Sequence, residues 1–130
     1  MAFRERVIVV AVILIVEDNF FICELSEIMI QEWGYVTLSA SDEDQALSLL
    51  RSEQQIDLLF TDINLNSRPL GGCDLAQQAI RLRPKLRVLY TTGNTIVEKM
   101  KSLFVDGSHC LGKPYTPGQL HSSFAQLLAA

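Results

Sequence analysis

Apolar residues in this chain come in short unbroken runs, and stretches of helical period separate them. The first run, at 11–16, is Ala-Val-Ile-Leu-Ile-Val and stops at Glu17 and Asp18. An alternating run occupies 35–40, and a third, at 56–61, stops at Asp62. A fourth, at 86–91, is followed by Thr92 and Gly93, and a short fifth, at 109–111, leads into Lys113 and Pro114. Runs of this length, bounded by polar residues, predict buried parallel strands. Between them, 20–33 carries Phe21, Leu25, Ile28 and Met29 at helical spacing, with Gly34 as its stop. Ser41 is placed to cap a helix reaching about 52, with Ala46, Leu47 and Leu50 inward. A helix over 73–83 ends before Pro84, and a short one over 96–105 ends at Asp106-Gly107. Thr116-Pro117-Gly118-Gln119 combines a cap, a first-turn proline and a capping-box glutamine, so the last helix runs to about 128. Five strand–helix alternations predict an α/β domain: a parallel sheet with helices on both faces.

In such a sheet the carboxyl ends of the strands share one edge, where ligands bind. Glu17, Asp18 and Asp62 all fall at strand ends there. Three converging carboxylates repel one another and favour a hard divalent cation with oxygen ligands. Taken singly, Glu17 and Asp18 also suit the start of a helix, and Asp62 suits a loop. Thr92 adds a hydroxyl for an anion or for a local turn with Gly93. Lys113 adds a cation able to pair with Asp62 or with an anion on it. Acids, hydroxyl and lysine together describe a place for a metal ion and a phosphoryl group.

Composition removes several other classes. One hundred and thirty residues make one domain, and 48% hydrophobic with 20% charged residues describes a globular chain. The net charge of −4 opposes nonspecific nucleic-acid binding. Cys23, Cys73 and Cys110 are odd in number, scattered and out of zinc-like spacing with His109 or His121, so reduced thiols and a cytoplasmic location are expected. The stretch 7–16 follows Arg4 and Arg6, as a signal peptide would, but is too short to span a bilayer and runs directly into acids. Residues 1–10 read as an extension preceding a domain over 11–130. No output domain is expected after the last helix.

The ordered set of Glu17-Asp18, Asp62, Thr92 and Lys113-Pro114 resembles the receiver domain of bacterial two-component response regulators, over roughly 11–128. The resemblance implies a doubly wound, five-stranded, flavodoxin-like fold. It implies that Asp62 accepts a phosphoryl group from a histidine kinase or phosphotransfer protein. Asp18 and Asp62 would bind Mg²⁺ directly, Glu17 through water, and the Asn64 backbone carbonyl would complete the protein ligands. Thr92 and Lys113 would contact phosphoryl oxygens. Such a domain is a signalling module, catalysing only its own phosphorylation and dephosphorylation. Its downstream partner, or a second copy, would meet the face near 96–128. Two departures stand out. Cys110 occupies the place where the family often has an aromatic, and the loop after Asp62 lacks the common proline and is about two residues longer. A haloacid-dehalogenase-like phosphatase needs Asp-x-Asp after its first strand, which Glu17-Asp18-Asn19 does not supply. A flavodoxin-like binder needs a phosphate loop there, and two acids oppose phosphate.

Overall fold

The computed structural model describes residues 9–93 and 98–129, without the side chains of 98 and 99. Five strands form one parallel sheet: β1 (Val12–Val16), β2 (Val36–Ala40), β3 (Leu58–Asp62), β4 (Arg87–Thr92) and β5 (His109–Gly112). Their spatial order is β2-β1-β3-β4-β5. The order reverses between β1 and β3, so the crevice for a ligand lies between the ends of those two strands. Val16 pairs with Thr61 there, which sets Glu17 and Asp62 one residue further along adjacent strands.

Helices α1 (Phe20–Glu32) and α5 (Pro117–Ala129) cover one face, and α2 (Glu43–Arg51) and α3 (Gly71–Leu82) the other. A short α4 (Glu98–Lys101) precedes β5. The expected helix over 96–105 is thus a single helical turn among the described residues, and Ile96 lies outside them. Alternate strand residues feed two cores. Leu14, Val16, Leu59, Val88 and Tyr90 face α2 and α3, while Ile13, Ile15, Leu58, Phe60 and Leu89 face α1 and α5.

Most predicted elements agree to within two residues, with instructive exceptions. β3 begins at Leu58 rather than 56 and includes Asp62. α2 is capped by Asp42, whose side chain accepts from the Gln45 N–H. Ser41 stands one residue earlier and donates its hydroxyl to the Gln45 side chain. Along α1 the buried residues are Cys23, Ser26 and Ile30, whereas Phe21, Leu25 and Ile28 are exposed. The apolar spacing marks a real helix, but of its four residues only Met29 packs against the core.

Candidate functional site

Asp62 ends β3, and its neighbours are held by backbone bonds from three directions. The Ile63 N–H donates to the Thr91 carbonyl at 2.8 Å, and the Gly72 N–H donates to the Ile63 carbonyl at 2.8 Å. The Thr61 hydroxyl donates to the Asp62 carbonyl at 3.0 Å. Gly72 lies so close that an added Cβ would stand 1.9 Å from the Asp62 carbonyl oxygen. Only glycine fits there, so the start of α3 presses directly against the backbone of Asp62.

Lys113 follows β5, and its backbone N–H donates to the Thr92 carbonyl at 2.7 Å. The Lys113–Pro114 peptide is cis. The Lys113 ammonium donates to Asp62 Oδ2 at 2.7 Å, joining residues 51 apart in sequence. Partial burial works against this ammonium, but the hydrogen bond and charge of Asp62, with Glu17 behind them, outweigh it and raise the amine's pKa. Glu17, Asp62, Thr91, Lys113 and Tyr115 share one cavity, closed on the helix side by Ile22 and Ser26.

Glu17 links that cavity to a second one lined by Asp18, Phe20, Cys23 and Gln45. Its Oε1 accepts from the Asn19 N–H at 2.9 Å. Burial raises the Glu17 pKa; the Asn19 bond lowers it, and contact with Asp18 pushes it up again. Two acids crowded in this way are hard-oxygen donors seeking a cation.

The sequence-predicted residues thus converge unequally. Glu17, Asp62 and Lys113 line one cavity; Asp18 lines the adjoining one and is exposed. Among the described residues, no three Asp, Glu, His or Cys side chains are gathered closely enough to hold a metal ion. Asn64 is exposed between buried Ile63 and Leu65. Thr92 is buried at the end of β4, and its neighbour Thr91 is among the residues that line the cavity. Cys110 pairs across the strands with Tyr90, whose ring stacks on Phe104 with centroids 4.5 Å apart.

Two features escaped the sequence reading. Gly71-Gly72 follows a loop in the sequence, yet Gly72 packs directly against the Asp62 carbonyl. Arg68 in the same loop ion-pairs with both Glu43 and Asp74. The adjacent glycines were a signal for the first; nothing local marked the second.

The arrangement can be set beside known proteins. A family model described as the response regulator receiver domain matches residues 13–125. The alginate biosynthesis transcriptional regulatory protein AlgB of Pseudomonas aeruginosa is 32% identical over 120 residues, covering 89% of this chain and 25% of that protein. The transcriptional regulatory protein ZraR of Klebsiella oxytoca is 29% identical over 121 residues, covering 90% and 26%. The chain therefore spans about a quarter of the length of the curated relatives it matches. Among solved structures, a response regulator receiver protein from Sinorhizobium medicae superposes with a TM-score of 0.83 at 27% identity, covering 93% of this chain and 96% of that one. A CheY-like receiver domain from Methanospirillum hungatei gives a TM-score of 0.80 at 23% identity, with 93% and 95% covered, which speaks for the fold. With the family matched across nearly all of the five-stranded sheet and its acidic edge, this chain belongs to the response regulator receiver domains.

Proposed function

We propose that Asp62 is the phosphoacceptor of this receiver domain. The observation that carries the reading is the Asp62–Lys113 contact, at 2.7 Å, in a cavity shared with Glu17 at the switch point of the sheet. In the reaction, an Asp62 carboxylate oxygen bonds to phosphorus as the phosphorus–nitrogen bond of a phosphohistidine breaks, and the imidazole leaves. Lys113 holds a carboxylate oxygen before transfer and offsets charge on the phosphoryl oxygens during it. The Thr92 hydroxyl donates to one of those oxygens. Asp18, Asp62 and the Asn64 carbonyl would hold Mg²⁺ directly and Glu17 would hold it through water; the ion would supply positive charge to offset that of the transferring group. The crowded Glu17–Asp18 pair supports this choice of donors.

The donor is a histidine kinase or phosphotransfer protein, and the rim of the site supports α1 as its seat. Phe20 and Ile22 line the two cavities, and Phe21, Leu25 and Ile28 continue an exposed apolar surface away from them. Any protein that delivers a phosphoryl group to Asp62 has to cover that rim. A downstream partner or second copy meets the face made by α4, β5 and α5. The receiver domain takes in residues 11–130, with 1–10 as an extension.

The test is labelling with acetyl phosphate and Mg²⁺. An acid-stable, base-labile adduct on the native protein that is lost in Asp62→Asn is the expected result. Undiminished labelling of Asp62→Asn would remove Asp62 from this role.

A further inference from the structure

The loop between Asp62 and α3 folds back on itself. The Leu65 N–H donates to the Arg68 carbonyl at 3.1 Å, and the Arg68 N–H returns to the Leu65 carbonyl at 3.0 Å. The two residues between them, Asn66 and Ser67, have φ of 52° and 62°. This is a two-residue hairpin with primed-turn geometry, made without glycine. Left-handed backbone at two successive non-glycine residues is unfavourable and persists only where the surroundings hold it.

The hold comes from outside the loop. The Asn66 amide donates to the Ser41 carbonyl at 3.2 Å. The Arg68 guanidinium divides its nitrogens, Nη1 to Glu43 Oε2 at 2.5 Å and Nη2 to Asp74 Oδ2 at 2.9 Å. Glu43 opens α2 and Asp74 lies in the first turn of α3, so one side chain spans the two helices. Glu43 is fixed in turn, since its Oε1 accepts from Gln78 on α3 at 2.7 Å. The hairpin begins one residue after Asn64.

We infer that Arg68 is a positioning residue that clamps the hairpin to α2 and α3 and thereby sets the Asn64 backbone for binding the divalent cation. The inference rests on the proposed role of Asp62 and its metal ligands. Its consequence has a distinctive sign. Arg68 is a cation near a cation site, so by charge alone its removal would strengthen Mg²⁺ binding. Loss of position weakens binding instead, as loss of a supporting contact does at metal sites. Exposed ion pairs contribute little to global stability, so the fold should survive the change.

The experiment titrates Mg²⁺ into metal-free protein, followed by calorimetry. It also measures acetyl phosphate labelling against Mg²⁺ concentration. For Arg68→Ala the dissociation constant should rise about tenfold or more, with the labelling rate at saturating Mg²⁺ within about twofold of native. Arg68→Lys, which keeps the charge but reaches one acid at a time, should fall between. Adding Glu43→Gln to Arg68→Ala should cost no more than Arg68→Ala alone, because both break the same clamp. A dissociation constant unchanged or lowered in Arg68→Ala, with native binding and labelling intact, overturns the inference alone. A native protein that neither binds Mg²⁺ nor is labelled overturns the functional reading and the inference with it.

Discussion

At the scale of single residues, tolerance is set by close approach and burial rather than by charge. Gly72→Ala would drive a methyl group into the carbonyl of Asp62, with backbone on both sides of the clash. We expect it to cost about 3 kcal/mol or more and to slow labelling of Asp62, checked by urea denaturation alongside the acetyl phosphate assay. Tyr90 is the largest fully buried side chain; its hydroxyl accepts the Val105 N–H at 3.2 Å, and burial pushes its pKa up to about 12. An unfolded tyrosine ionises near 10. Below that pH both states keep the proton and the contribution of Tyr90 is intact. As pH rises from 10 towards 12, only the unfolded chain releases it, so unfolding is favoured by about 2–3 kcal/mol at the upper end. Tyr90→Phe removes this dependence and, at pH 8, about 1 kcal/mol of hydrogen bonding. Urea midpoints of the two proteins should therefore converge between pH 8 and 11; parallel lines would exclude Tyr90 as the source. Cys73 and Cys110, with thiols pushed up to about 11 by burial, should alkylate slowly in the same range.

At the scale of elements, α1 shows how an apolar pattern is read and misread. Its period is helical, and a helix forms, capped by the Asn19 side chain accepting from the Ile22 N–H. Phe21, Leu25 and Ile28 nonetheless face outward. Phe21 is 74% exposed and Leu25 68%, beside the mouth of the proposed phosphorylation site. A contiguous exposed apolar surface of this kind marks an interface. Replacing Phe21 and Leu25 together by serine should leave labelling by acetyl phosphate within about twofold and unfolding within about 0.5 kcal/mol per site. Transfer from a phosphohistidine protein should slow by about tenfold or more. Equal slowing with both donors would place the effect in the chemistry, not in docking. The loop from Ile63 to Leu70 is the other element that escaped local reading. Its hairpin is held by Glu43 and Ser41, more than twenty residues upstream.

At the scale of the whole molecule, the sheet order brings charges together at a cost that a ligand can repay. Sheet order sets Glu17 beside Asp62, and Asp18, next to Glu17 in sequence, adds a like charge that opposes it. Asp18→Ala should therefore stabilise the metal-free protein by about 0.5–1 kcal/mol while weakening Mg²⁺ binding. Mg²⁺ at about ten times its dissociation constant should stabilise the native protein by about 1–2 kcal/mol and the variant far less. Thermal unfolding with and without the ion checks both, and identical metal responses would exclude Asp18 as a ligand. The amino-acid sequence alone determined the five strands, their parallel class and the acids, hydroxyl and lysine at their ends. Those features are written in local hydrophobic period and in what interrupts it. It also carried enough of an ordered pattern to suggest the family. Tertiary structure decided which face of α1 is buried, that Thr91 joins the wall of the Asp62 cavity, that Gly72 abuts Asp62 and that Arg68 joins α2 to α3. Each of these depends on a partner distant in the chain, and short-range pattern holds no information about which distant residue will arrive.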